Sequence, residues 1–253
     1  MANTNSSLTA LFADIADAIR EKTGALAKIV AADFPDVIRE RLQAAPPPPP
    51  YLTFKSPNSF TLAVGDATQH WNGALEYSTD ASTWSTWDGT TTLSSATSGS
   101  DNVLYLRGTG NEVITGDDQN YRWVLTGSDI SCIGNIENLL DYAAVSYGVH
   151  PTMESSCYAY MFAGCTSLIQ VPALPATTLA NSCYWGMFDG CTSLKLSSTR
   201  AEEYTQEYRI PSSGIGTAAS SDLADMFSST GGTFTGTPVI NMTYYLSNTN
   251  TVV

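Results

Sequence analysis

Charge is scarce in this sequence. Only 14% of its 253 residues are Asp, Glu, Lys or Arg, and 24 acidic residues face 11 Lys plus Arg. The formal net charge of −13 repels phosphate backbones and bare anionic lipid, so nucleic-acid binding is disfavoured, while neutral glycans and cationic partners stay open. No run of about 18 apolar residues occurs, so no membrane-spanning helix is expected. Met1 is followed by ANTNSSLTA, with neither the basic nor the apolar region of a secretory signal, from which we expect a protein made and held in a cytoplasm until lysis. The two histidines, His70 and His150, each stand beside turn residues and far apart in the chain. No G-x-S-x-G, H-E-x-x-H or phosphate-loop pattern accompanies them. We therefore expect no catalytic residue, no metal and no cofactor. The competing reading is a glycosidase-type carboxylate pair, Glu202 or Glu203 with Asp222 or Asp225.

The five cysteines, at 132, 157, 165, 183 and 191, lack the short C-x2–4-C pairs that zinc favours. Disulfides or a metal compete with a third reading, a ladder of buried thiols at equivalent points of a repeat, which we adopt. Four of the five fall in a visible repeat. Cys157 recurs as Cys183, Met161-Phe162 as Met187-Phe188, and Gly164-Cys165-Thr166-Ser167-Leu168 as Gly190-Cys191-Thr192-Ser193-Leu194, each 26 residues later. A fixed period of this size is the mark of a solenoid, in which a unit buries its apolar side only against its neighbour. In each unit the Cys-Tyr to Gly-Cys portion is expected as a short helix or turn, and Thr-Ser-Leu as the lead into a strand. A third, degenerate unit begins at Asp225-Met226-Phe227, after an insertion over 200–212. The tail from Val239, with Tyr244-Tyr245-Leu246, is expected to cap the last coil.

Ahead of the repeat lie three other regions. In residues 1–45, Leu8, Leu11, Phe12, Ile15 and Ile19 follow the i, i+3, i+4, i+7 spacing of an amphipathic helix, and Phe34, Val37, Ile38 and Leu42 mark a second one. A helical hairpin this small rarely folds alone, so it is expected to self-associate or dock as an anchor. Residues 46–50 are five consecutive prolines, a polyproline II spacer of about 3 Å per residue. Residues 51–127 carry short alternating runs separated by turn signals such as Pro57-Asn58, Asn72-Gly73 and Asp88-Gly89, which suggests an immunoglobulin-like β-sandwich. Residues 128–253 then form the repeat domain, with Ile130, Ile133, Ile136, Leu139 and Leu140 in its first coil. The expected fold class is mainly β with a small α N-terminus.

Candidate ligand-binding residues are Tyr77, Trp84, Trp87, Tyr184 and Trp185. Flat rings among Asp, Ser and Thr suit the C–H face and hydroxyls of a sugar. The alternative is that these rings are core. Asp117-Asp118, near Glu112 and Asn120, is read as a solvated acidic turn rather than a calcium site.

The stretches MFAGCTSL, MFDGCTSL and ALPATTLANSCYWGMF resemble BspA-type leucine-rich repeats of adhesive bacterial surface proteins, over roughly residues 130–240. Residues 13–38, ADIADAIREKTGALAKIVAADFPDVI, resemble a segment at the start of phage tail-fibre and other virion-associated proteins. Together the resemblances imply a phage structural or receptor-binding protein. It would be made in the host cytoplasm and displayed on the virion surface, anchored to virion proteins by residues 1–45 and binding a host-surface glycan or protein. A homo-oligomer, with a trimer favoured, belongs to that expectation. A bacterial adhesin and a decoration protein without a ligand are the alternatives.

Overall fold

The computed structural model describes residues 51–248. The expected hairpin, with Leu8, Leu11, Phe12, Ile15, Ile19, Phe34, Val37, Ile38 and Leu42, and the polyproline run lie outside the described residues, as do the last five positions. The described part is mainly β, with one short α-helix and three sheets, none of them closed.

The first half follows from strict alternation. In β1 (Leu52–Ser56) Leu52, Phe54 and Ser56 are buried while Thr53 and Lys55 face outward. Antiparallel partners repeat the pattern: β1 pairs with β7 (Asp101–Thr109), and β7 with β3 (Ala74–Ser78), which pairs in turn with β4 (Ser85–Trp87). A separate three-stranded sheet orders β5 (Leu93–Ser94), β2 (Thr61–Val64) and β8 (Trp123–Thr126). The inward rings join the two sheets: Trp87 meets Trp71 at 5.1 Å and Trp123 at 5.5 Å, and Phe54 meets Trp123 at 6.4 Å. Such tilted and edge-on pairs add to what area burial alone contributes.

The larger sheet does not stop near residue 127. Strand β9 (Ile130–Ile133) pairs antiparallel with β1 on the side opposite β7, and β10 (Leu168–Gln170) then pairs in parallel with β9. Of the expected first-coil residues, Ile130, Ile136, Leu139 and Leu140 are fully buried, and Ile133 is half-buried. Helix α1 (Asn138–Ser146) follows β9. Asp141 has non-helical dihedrals inside it, and its carboxylate accepts a hydrogen bond from the Ala144 amide, so the segment is two capped turns rather than one rod.

The Cys-Tyr to Gly-Cys portion of each repeat is neither helix nor strand but a run of turns. Within 156–165, alternate amides close turns on their own coil: Ala159 N to Ser156 O, Met161 N to Tyr158 O, Ala163 N to Tyr160 O. The amides between them donate outward to the next coil: Ser156 to Asn181 O, Tyr158 to Cys183 O, Tyr160 to Trp185 O, Phe162 to Met187 O, Gly164 to Asp189 O. The second coil treats the third alike, with Tyr184, Gly186, Phe188 and Gly190 donating to Asp222, Ala224, Met226 and Ser228. Each coil turns through left-handed backbone at equivalent points, Tyr160, Gly186 and Asp225 among them. Gly186 is required twice over, by a φ of +57° and by the Tyr160 ring, which lies where a β-carbon would stand.

Both ends of this stack are closed. On the first coil the carbonyl of Cys157 accepts from the Ile114 and Thr115 amides, that of Ala159 from the Thr115 hydroxyl, and that of Met161 from the Trp123 amide. On the third, Phe227 exchanges hydrogen bonds with Gly236. Side chains form matching columns. Phe162, Phe188 and Phe227 stack at 5.7 and 5.4 Å, within 9° of parallel, and Tyr158 stacks on Tyr184 at 5.6 Å.

The strand side of the coils is less regular. Strand β11 (Lys195–Ser197) pairs in parallel with β13 (Gly231–Gly232), but it has no pairing with β10. Its other edge is taken by β14 (Thr243–Ser247), and β14 pairs with β12 (Tyr204–Arg209), both antiparallel. The tail strand and the insertion thus form one hairpin-like pair beside the second coil, where the sequence suggested a lid over the third. The charge-rich β12 alternates, with Tyr208 buried and Glu207 and Thr205 exposed.

Phe188 has a ring on each face and is fully buried. Phe188→Ala should cost about 3–5 kcal/mol of unfolding free energy, read by denaturant titration, because the cavity opens inside a column that cannot collapse. A loss below about 1 kcal/mol would show that the column does not carry the coils.

Candidate functional site

The five candidate aromatics divide by the face they occupy. Trp87 is 1% exposed, directly across from Leu75 on the inward face, with its indole N–H donated to Thr91 O at 2.9 Å. Tyr184 is 0% exposed within the Tyr158 stack. Both are core, so neither belongs to a solvent-facing site; each occupies an inward register position that the aromatic spacing alone did not distinguish. Tyr77 is half-buried and packs against the core from β3. Trp185 is half-buried, tilted against Tyr160 at 5.0 Å. Trp84, just before β4, is half-buried and lies against Arg107 on the outward face of the larger sheet. No ring contact among the described residues links Trp84 with Trp185.

The surroundings of Trp84 form a site that the sequence did not reveal. Register places Glu76 opposite Arg107 and opposite Thr86, and Thr53 opposite Tyr105, so the odd-numbered residues of β1 and β7 share one face with Glu76. On this face Tyr51 lies 5.7 Å from Trp84 and 5.0 Å from Tyr105. The Arg107 guanidinium sits 4.0 Å from the Trp84 ring centre and 4.5 Å from that of Tyr142 on α1. Its Nε donates to Glu76 Oε2 at 2.8 Å. Among the described residues nothing accepts from its terminal nitrogens. At the far end of the same face Lys55 and Asp101 pair at 2.9 Å.

Each partner fixes the next. Glu76 aims the guanidinium, two rings hold its plane, and α1 is tied to the sheet through Tyr142. Asn111, nearly fully buried, holds the same junction, donating to Ala74 O and Leu139 O and accepting from the Gly73 amide. The Tyr105 phenol is pushed up by partial burial, then by the neighbouring Tyr51. The result is a preorganised platform of three half-buried rings, with a fixed guanidinium and a carboxylate that is one-third exposed. Rings offer stacking faces to C–H surfaces, and the two charged groups offer donors and acceptors to hydroxyls.

The other proposed chemistries are placed as follows. Asp222 is buried, and its carboxylate accepts from the amides of Ala219 and Leu223, while Glu202, Glu203 and Asp225 are exposed. Asp118 caps a short 3-10 turn by accepting from Asn120. His70 is stacked on Tyr121 at 3.6 Å and hydrogen-bonded to both oxygens of Asp66, whose carboxyl is held below its usual range mainly by that hydrogen bond. Among the described residues no group of three or more His, Cys, Asp or Glu is placed to hold a metal. No helix there is long and apolar enough to cross a membrane.

All five cysteines are free and buried. Cys191 donates to Phe162 O at 3.0 Å and Cys165 to Trp123 O at 3.3 Å. Burial pushes every one of these thiols up, Cys165 to about 11 and Cys183 to about 12.

Comparison with protein-family models, with curated proteins and with solved structures finds no match for this chain.

The thiols generate a pH prediction. Above an ordinary thiol value of 9.0 the unfolded chain loses protons that the folded chain keeps, so stability is full below pH 9 and falls as pH rises toward 11 to 12. At pH 9 a maleimide or iodoacetamide should therefore label the native protein at none of the five cysteines and the urea-unfolded protein at all five, counted by mass spectrometry. Rapid native labelling of any one would contradict the closed stack.

Proposed function

We propose that this chain is a non-enzymatic, virion-associated adhesive protein of phage-fibre or decoration type, and that the Trp84–Arg107 platform contacts a host-surface glycan. In this reading residues 51–127 form an immunoglobulin-like β-sandwich. Residues 128–253 form a short BspA-type leucine-rich-repeat solenoid, with the 114–123 segment as its opening cap. Residues 1–45 anchor the chain to virion proteins or to copies of itself, most simply as a trimer, and residues 46–50 space the body from the anchor. The alternating amide pattern, repeated at the 26-residue period, supports the solenoid reading. The likeness of residues 13–38 to virion proteins supports the location.

One observation carries the binding reading. A tryptophan and two tyrosines are left on an outward sheet face while comparable rings elsewhere are consumed by the core, and a guanidinium is fixed among them whose terminal nitrogens have no acceptor among the described residues. Stacking a sugar on such rings is worth roughly 0.5–1.5 kcal/mol per contact, a modest single-site affinity. Display in several copies would multiply it by about 10²–10⁴.

The test is binding of the full chain to an array of immobilised bacterial-surface glycans, beside Trp84→Ala and Arg107→Ala. Each variant should keep its melting temperature within a few degrees and lose about three- to tenfold in single-site affinity for whatever glycan is bound. Glycan binding that survives both substitutions would move the site elsewhere. Binding to no glycan would favour a decoration role without a ligand.

A further inference from the structure

A second site lies apart from the platform, where α1 begins. Glu137 is 1% exposed, yet its carboxylate accepts hydrogen bonds from a side chain that is 47% exposed: His150 Nδ1, at 2.8 and 3.1 Å from the two oxygens. A carboxylate has room for about four donors, and here one imidazole nitrogen is shared between both oxygens, with the Asn135 side chain as a further hydrogen-bonding neighbour. Burying such a charge costs several kcal/mol unless partners restore what water supplied. Burial pushes the Glu137 carboxyl up, and His150 and Asn135 pull it only part of the way back. Core positions rarely keep an acid under those terms, and Asn135 already caps the Glu137 amide, so the helix start does not need the carboxylate.

Glu137 and His150 line a cavity of about 450 Å³, within the size range of small-molecule sites. Pro151, Met153, Ala176, Leu179 and Ala180 supply apolar wall. Behind Met153 is the Tyr158–Tyr184 stack, and the hydroxyl of the fully buried Tyr184 reaches the Met153 sulfur at 3.9 Å. Thus the cavity combines apolar side chains and Thr152, Thr177 and Thr178 with one buried anion, and the imidazole now meeting that anion hangs on an irregular segment open to water. The overall charge of −13 adds attraction for cations.

We infer that this cavity binds a small molecule carrying a primary ammonium on a compact apolar body, the ammonium taking the place of the His150 imidazole on Glu137. An ammonium brings three donors where the imidazole offers a single nitrogen to both oxygens, and the apolar body covers Met153 and Leu179. His150 is then the internal competitor for the site rather than part of its grip. This inference does not rest on the glycan reading.

The experiment uses the full chain labelled with [13C-methyl]methionine, titrated with cyclohexylmethylamine and, separately, with cyclohexylmethanol as its neutral analogue. The Met153 methyl resonance should shift and saturate with the amine, while the alcohol binds at least about tenfold more weakly, a difference of about 1.4 kcal/mol. Glu137→Gln should weaken the amine by a similar factor or more. His150→Ala should bind the amine as tightly as the native chain or several-fold tighter, which keeps the inference testable if Glu137→Gln does not fold. Equal binding of amine and alcohol, no response at Met153, unchanged amine affinity in Glu137→Gln, or weakened amine binding in His150→Ala would each overturn it. Trp84→Ala should leave the titration unchanged, which separates failure here from failure of the glycan reading.

Discussion

Every second amide of a coil has its partner on the next coil. That single arrangement governs the second half of the molecule. Tyr158, Tyr160, Phe162 and Gly164 have no acceptor on their own turn, and a buried amide without an acceptor costs about 1–3 kcal/mol. One coil therefore cannot exist alone, and the first and third need closures of another kind. Residues 114–123 close the first, and the 231–237 return closes the third. The stacked phenylalanines follow from the same constraint, because backbones held at hydrogen-bonding distance bring equivalent side chains into columns.

The same constraint places both proposed sites. The first coil is bonded to the 114–123 segment and β10 is laid against β9, so α1 is pinned between the sheet and the coils. One end of α1 carries Glu137 toward the cavity beside the coils. Further along, Tyr142 closes over Arg107 on the outward sheet face. The platform thus stands on a rigid strand pair and a short pinned helix, which suits a binding surface that has to be ready before its ligand arrives. The cavity is instead bordered by an irregular segment, 147–153, that belongs to no strand ladder.

Much of the architecture was legible as pattern. The 26-residue identity fixed the register of two coils, and Met226-Phe227 fixed that of the third despite the insertion. Alternation or β-branched and aromatic content in Tyr51–Phe54 and Ala74–Ser78 marked strands, which the structure places at Leu52–Ser56 and Ala74–Ser78. What escaped was pairing between distant segments. Nothing local says that β9 adds to β1, or that β14 sits against β11 and β12 rather than over the third coil, because strand pairing is decided by edges left open elsewhere in the fold. The site failed for a similar reason. Trp84 and Trp87 are three residues apart and look alike as sequence, but Trp87 is fixed inward on β4 while Trp84, just before the strand, lies against Arg107 on the outward face. Arg107 and Tyr105 on β7, Tyr51 before β1 and Tyr142 on α1 come from three separate stretches, and only the tertiary fold assembles them around Trp84. Glu137 and His150 carry no motif at all; a lone acid at a helix start reads as a cap until its burial is known.

Native-state hydrogen exchange tests the dependence of coils on one another most directly. The cross-coil amides of Tyr158, Tyr160 and Phe162, those of Tyr184, Gly186 and Phe188, and the ladder amides of β1 and β7 should all exchange at one common free energy, by global opening, because no coil retains its hydrogen bonds without its neighbours. Coil amides that exchange at a markedly lower free energy than the sheet, or one coil that opens while the next stays protected, would contradict the claim that the stack and the sheet are held as a single unit.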